Sequence, residues 1–202
     1  MQIHRIMNTH IIFGGISAAF GLIYIAPFLL AILQKTAKPH FISWLIWTFV
    51  MGTTFFAQLF SHAGAGSWNN GIGAIECLAI CIYGFLHGEK NITRGDWISL
   101  ILALTAIPLW IVTRDPFYSV VLVTLIDIVA YYPTIRKSWS KPHDEPAMAY
   151  IVGTFAQFFS ILAIERFIPT NWIAPIATCA ANLTLIFVLI LRRRVIPKPI
   201  AT

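Results

Sequence analysis

Charge is what this sequence has least of. Only 11% of its 202 residues are Asp, Glu, Lys or Arg, where a soluble domain carries about 25%. With 58% of the chain hydrophobic, so few charges cannot coat a water-facing surface, which excludes a soluble globule. The charges also come in short clusters between long apolar runs, so the apolar surface faces lipid. Segments of about ten residues with alternating polarity are missing, which excludes a transmembrane β-barrel. Long basic stretches are missing too. The net charge is +6, but the cations gather at the ends of apolar runs and cannot track a nucleic-acid backbone. No nucleic-acid partner is therefore expected.

Cysteine is scarce. Cys77, Cys81 and Cys179 each lie inside an apolar run, which argues for buried thiols and against a disulfide framework. Cys77 and Cys81 are one helical turn apart, a spacing that also suits a soft metal. No Met or His cluster accompanies them, so no metal is expected. Nor is there a Gly-rich phosphate loop or a nucleophile with a paired base in a known motif. The loops are too short for a soluble catalytic domain. The expectation is a protein that is not an enzyme and takes no cofactor. An intramembrane enzyme, with Asp127 and Glu76 as general acid and base, stays open as an alternative.

Seven apolar runs are present: Ile11 to Gln34, Phe41 to Ser61, Trp68 to His87, Trp97 to Thr113, Phe117 to Ile135, Ala147 to Ile164 and Asn171 to Leu191. Each is near the roughly 20 residues that cross a hydrocarbon core of about 30 Å. The expected fold is an all-α membrane protein with seven transmembrane helices, the fourth being the shortest. The first run has no small-residue cleavage site and reads as a retained helix. Lys35, Lys38, Lys90, Arg94, Arg136, Lys137, Lys141, Arg192, Arg193, Arg194 and Lys198 fall on one side of a seven-span chain. Arg5, Arg114 and Arg166 fall on the other. The positive-inside rule makes the rich side cytoplasmic and places the N-terminus outside. The compact chain fits a bacterial inner (plasma) membrane. Trp44, Trp47, Trp68, Trp97, Trp110, Trp139 and Trp172 lie mostly near span ends and read as interface anchors. His62 and His87 are likewise interfacial, and Arg192 to Arg194 form a cytoplasmic stop.

The chain repeats itself. Gly52-Thr53-Thr54-Phe55-Phe56-Ala57-Gln58-Leu59-Phe60-Ser61 in the second run matches Gly153-Thr154-Phe155-Ala156-Gln157-Phe158-Phe159-Ser160 in the sixth. Ahead of each copy stands a proline near the inner end of the preceding run, Pro27 or Pro133, and then a Lys-Pro pair, Lys38-Pro39 or Lys141-Pro142. Helices one to three thus match five to seven. Three helices is an odd number, so a linker helix is needed to make two repeats parallel. Parallel repeats are a transporter arrangement with the solute site near the midplane between them. The expected organisation is 3-1-3: residues 1–90 as the first three-helix repeat, 91–115 as the linker, and 116–202 as the second repeat with a cytoplasmic tail.

On these features the chain resembles the PQ-loop superfamily, which includes the SWEET sugar transporters. The resemblance covers nearly the whole chain through the 3-1-3 arrangement, the outside N-terminus and the two prolines. Where that family has glutamine after the proline, this chain has Phe28 and Thr134. The resemblance implies that Pro27 and Pro133 act as hinges. A proline inside a helix removes one backbone hydrogen bond and kinks it. It also implies that an asparagine in the third helix of each repeat contacts solute. Asn182 matches by depth, and Asn70 is the nearest candidate in the first repeat.

Other candidates come from depth alone. Asp127 lies about ten residues into the fifth run, and Glu76 at similar depth in the third. A carboxylate at the bilayer centre costs at least about 2.5 kcal/mol, so it faces the bundle interior or a wet cavity, or stays protonated. Each is either a solute or proton site or a carboxyl hydrogen-bonded to a neighbouring helix. Gln58 and Gln157, matched by the repeat, either ligate a solute or stitch helices together. An acid at Glu76 suits a cationic or amine-bearing solute, or proton coupling.

The expected function is alternating-access transport of a small polar solute, a sugar, amino acid or amine, with proton coupling through Asp127. The alternative is a ligand-binding receptor or regulatory scaffold on the same fold without net transport. The expected partners are the solute, the lipid bilayer and a second copy of the chain in a homo-oligomer. The orientation is directly testable. Green fluorescent protein fused after Thr202 is expected to fluoresce and alkaline phosphatase there to be inactive; the opposite pair of results reverses the topology.

Overall fold

The structure, a computed structural model, describes residues 2–34, 39–88, 92, 94–140, 142–144 and 147–197. The side chains of 2–8, 27, 28, 31, 132, 133, 137 and 144 lie outside that description. Among the described residues eight α-helices follow one another: α1 (Gln2–Leu33), α2 (Phe41–Phe60), α3 (Trp68–His87), α4 (Arg94–Leu104), α5 (Ala106–Thr113), α6 (Pro116–Ser140), α7 (Ala147–Leu162) and α8 (Pro169–Val195). Among the described residues there is no strand. α4 and α5 form one span of 20 residues, Arg94–Thr113. Counted so, six helices are long and apolar enough to cross a membrane, and α7, with 16 residues, is a shorter apolar helix.

The surface identifies the solvent. Val112 is 80% exposed and Phe60 72%, while Gln58 and Asn171 are fully buried. Water would reverse that distribution; hydrocarbon produces it. The chain is an integral membrane protein.

Local chemistry sets the helix ends. The fourth span breaks at Thr105, whose N–H is shared between the carbonyls of Ile101 and Leu102 at 3.0 and 3.2 Å. Three residues on, Pro108 has no N–H to give the Leu104 carbonyl, so the regular ladder cannot continue through this turn. At the end of α5, Arg114 adopts a left-handed conformation, φ 54°, and its N–H closes on the Trp110 carbonyl. Asp115 then accepts from the Phe117 N–H at 2.9 Å, with Pro116 as the first residue of α6. A capping aspartate followed by proline is a strong helix start.

α3 packs against both α1 and α2, and α8 against both α6 and α7. α1 lies along α7, and α2 along α6. Rings fill the first of these seams: Phe20 stacks on Phe155 and Phe159, and Phe13 meets Phe159. Between them the Ser17 hydroxyl donates to the Ala156 carbonyl at 2.6 Å. Val50, Ala106 and Val123 pack together where α2, α5 and α6 meet.

Sequence and structure differ at several span ends: α1 begins at Gln2 rather than Ile11, α6 runs on to Ser140 rather than Ile135, and α8 extends from Pro169 to Val195. The fourth span begins at Arg94, three residues before the expected Trp97. The shortest span is the sixth, because the chain leaves α7 at Leu162. It leaves there to dock: the Glu165 N–H donates to the Ala63 carbonyl at 3.0 Å, joining the α7–α8 loop to the α2–α3 loop.

A proline organises that docking. Pro175 lies inside α8. Its missing N–H leaves the Asn171 carbonyl without the helical donor four residues on. The Gln58 amide supplies one instead, Nε2 to Asn171 O at 2.8 Å. Gln58 is held in turn by Asn70, whose Nδ2 donates to its Oε1 at 2.9 Å. Replacing Gln58 with Leu orphans both groups, at about 1–3 kcal/mol each, so the thermal midpoint in detergent should fall clearly. Pro175→Ala restores the backbone donor and should recover part of that loss in the double variant. Simple additivity of the two single effects would rule this account out.

Candidate functional site

α8 carries Asn171, Pro175, Thr178 and Asn182 at successive spacings of four, three and four. Such spacing lines them along one helix face. Every member of the stripe meets another helix. Thr178 Oγ1 donates to Asp127 Oδ2 on α6 at 3.1 Å. One turn along both helices, Tyr131 Oη donates to Asn182 Oδ1 at 2.9 Å. On α7, Gly153 leaves room for this rung. A Cβ there would lie 3.0 Å from Asn182 Nδ2 and 3.7 Å from the Tyr24 ring of α1.

Beside the Asp127–Thr178 rung lies a small cavity of about 40 Å³. Its wall is formed by Trp47, Val50, Met51 and Thr54 of α2, Asn70 of α3, Thr124 and Asp127 of α6, Gln157 of α7, and Ala174, Pro175 and Thr178 of α8. Three of these residues have a buried oxygen with no hydrogen-bond partner: Thr124 Oγ1, Asp127 Oδ1 and Gln157 Oε1. Buried polar atoms normally find partners. A water needs about 10–15 Å³ of such space and two to four polar contacts, so the cavity has room for about three or four waters but for no sugar or amino acid.

At the end of the molecule carrying residues 61–67 and 163–168, the structure is closed. Asn171 Nδ2 donates to the carbonyls of Ser61 and Arg166 at 3.1 and 2.7 Å. Ser160 Oγ donates to the Gly66 carbonyl at 2.9 Å. Gly64 takes φ +61°, and any side chain there would overlap Glu165. Ala63, Ser67 and Ala163 are fully buried by the contact.

The expected site residues fall into distinct groups. Asp127, Gln157 and Asn70 line the cavity. Asn182 sits one turn away, tied to Tyr131. Gln58 is committed to Asn171 and Asn70, so the two repeat-matched glutamines have different surroundings. Glu76 is partly buried on α3 with an unpartnered Oε1, outside the cavity wall. Pro27 and Pro133 fall within the ranges of α1 and α6, but their side chains lie outside the described residues. Cys77 and Cys81 are buried and free. Among the described residues, no three His, Cys, Asp or Glu side chains group as metal ligands.

Sequence reasoning passed over Tyr24, Thr124, Tyr131, Gly153, Asn171, Pro175 and Thr178. Two of them had a usable signal. Tyr131 is four residues after Asp127, and Thr178 four before Asn182, the spacing that extends a polar stripe along a helix.

Comparison with known proteins finds no matching family model, no matching curated protein and no matching solved structure.

The orphaned oxygens make a stability test of Asp127 informative. Asparagine at 127 adds amide hydrogens that Gln157 Oε1 and Thr124 Oγ1 can accept. Asp127→Asn is therefore expected to raise the thermal midpoint, as happens where a residue serves function at the expense of stability. Thr178→Val, which removes a donor from the carboxyl group, should lower it. A fall of several degrees for Asp127→Asn would make the carboxyl group structural.

Proposed function

We propose that the chain transports a small polar solute by alternating access, as two parallel three-helix bundles, residues 1–90 and 116–202, joined by a linker, 91–115. The observation that carries this reading is the position of the orphaned carboxyl oxygen. Asp127 faces a small cavity whose walls come from α2 and α3 on one side and α6, α7 and α8 on the other. Ionisable groups inside a membrane mark solute and ion pathways, and transporters of parallel-repeat design bind between the repeats near the midplane.

The packing order adds support. In each proposed bundle the third helix lies between the first and second, α3 between α1 and α2 and α8 between α6 and α7. The contacts between bundles also correspond, first helix with second in both directions, α1 with α7 and α6 with α2. Two copies related by an axis along the membrane normal generate this pattern.

On this reading the structure is a closed state. The end bearing Arg114 and Arg166 is external by the positive-inside rule, and the docked loops form a shut outer gate. Four hydrogen bonds cross it: Gln58 to Asn171, Asn171 to Ser61, Ser160 to Gly66 and Glu165 to Ala63. Releasing them costs about 2–6 kcal/mol in sum, within the range over which a ligand shifts two states. The 40 Å³ cavity enlarges as the bundles separate. The solute class is a sugar, amino acid or amine, and the carboxyl group of Asp127 favours the amine-bearing members. The resemblance to PQ-loop proteins points the same way through architecture and the two prolines. The inner membrane of a bacterium, with the C-terminus in the cytoplasm, is the proposed location, and a homo-oligomer the proposed assembly.

Uptake of radiolabelled sugars, amino acids and amines into proteoliposomes tests the proposal, with and without an inward proton gradient. Accumulation of one class is expected, with stimulation by the gradient that is lost in Asp127→Asn. Stimulation that survives this substitution removes Asp127 from proton coupling. Binding of a solute to purified protein without flux of any class assigns the chain as a receptor instead.

A further inference from the structure

A second cavity, much larger than the one beside Asp127, is lined almost wholly by apolar groups. A groove of about 1180 Å³ runs between α2, α3 and α5. Its mouth lies at the closed end of the molecule, where Trp68, Trp110 and Arg114 line it. Its deep end is formed by Thr48 of α2 and Leu78 of α3. From Phe60 to Thr48 is twelve helical residues, about 18 Å at 1.5 Å per residue. One leaflet of a bilayer contributes about half of a 30 Å core. The groove is therefore about as deep as a single leaflet.

Its chemistry is split along that depth. The walls are aromatic and aliphatic, and the Thr48 hydroxyl is spent on its own helix, donating to the Trp44 carbonyl at 2.7 Å. At the mouth, Phe60 and Trp110 meet edge to face at 5.9 Å. Arg114 is exposed there, and among the described residues it forms no ion pair. The left-handed turn that ends α5 fixes its backbone at this mouth. The floor is set by Gly52, where a Cβ would find no atom within 4 Å. By contrast, Gly71 across the groove is filled, since a Cβ there would lie 2.7 Å from the Phe55 ring.

We infer that this groove is a phospholipid site, with an acyl chain lying along α2 and α3 over Gly52 and the phosphate held at the mouth by Arg114. An apolar channel one leaflet deep, with interfacial tryptophans and a free cation at its headgroup end, fits that molecule from tail to head. A helix from a second copy would fill the tail region but leave the cation unmatched. The site lies apart from the cavity beside Asp127 and does not depend on transport.

The full chain, purified in a mild detergent and delipidated by extended washing, provides the test. Intact-complex mass spectrometry then counts retained phospholipid. The wild type is expected to carry one phospholipid per chain. Gly52→Leu places a side chain in open space, so the helix should fold, and the melting curve by circular dichroism checks that it does. Retention should fall at least about fivefold in this variant, since the tail's apolar contact is displaced. Arg114→Gln should lower retention by about two- to threefold, and more for phosphatidylglycerol than for phosphatidylcholine. Leu183→Phe, on the exposed face of α8, should change nothing. A wild type that retains no lipid overturns the inference, as does equal retention in Gly52→Leu. Protein dimers that Gly52→Leu converts to monomers, with no lipid in either form, would give the groove to a second copy. Retention unaffected by Arg114→Gln would remove the headgroup contact.

Discussion

One backbone carbonyl without a helical donor governs the closed end of this protein. Pro175 removes the donor, and Asn171 O is left in surroundings that contain no bulk water. In hydrocarbon such a group costs several kcal/mol unless another part of the protein satisfies it. Gln58 satisfies it, and that single bond brings α2 against the start of α8. Asn70 fixes the amide from α3, so three helices come into register at one point. The Asn171 side chain then reaches back to the Ser61 and Arg166 carbonyls. The docked loops, their buried glycines and the early exit from α7 all accommodate this arrangement. Pro175 also stands in the wall of the small cavity, so the same residue shapes the latch and the site beneath it.

Depth was legible in the sequence, and direction was not. Counting residues from a span edge places Asp127 and Asn182 at mid-membrane, and the structure ties both into the seam between α6 and α8. The same count places Glu76 level with Asp127, yet the two carboxyl groups do not share a cavity. Helices that are apolar all round carry no periodic signal to say which face turns inward. The polar residues themselves were the only guide, and only where several recur at helical spacing. α8 has three on one stripe, Asn171, Thr178 and Asn182; α3 has Glu76 alone at its level. The seven runs were legible because membrane thickness sets their length. Their ends were less so, because Thr105 with Pro108, and the docking of Glu165 on Ala63, depend on local or tertiary contacts.

The repeat shows the limit of reading equivalence from sequence. Gln58 and Gln157 occupy matching positions, yet one is fully bonded and the other presents a bare oxygen to the cavity. The difference lies in their partners. Pro175 makes a vacant carbonyl for Gln58, and Asn70 steadies it. No counterpart of either contact appears at Gln157 Oε1. A repeated helix can keep its residues while its neighbours change, and the neighbours decide whether an amide is structural or available.

The two cavities bear on where this molecule can move. Within the first proposed bundle, α2 and α3 are interlocked: Phe55 fills the space over Gly71, and Met51 that over Gly73. Packing of this kind has few alternative arrangements, so it behaves as a rigid unit. The large groove shares Phe55 and Gly71 with that contact, so a molecule filling it lies against the interlocked pair. Between the proposed bundles the contacts are of another kind. They are a few hydrogen bonds, stacked rings along α1 and α7, the apolar cluster of Val50, Ala106 and Val123, and a small cavity with three oxygens unmet. Hydrogen bonds to backbone carbonyls can be exchanged for bonds to water at modest net cost, and flat rings can slide. The cavity that Asp127 faces lies on this boundary, walled by α2 and α3 on one side and by α6, α7 and α8 on the other.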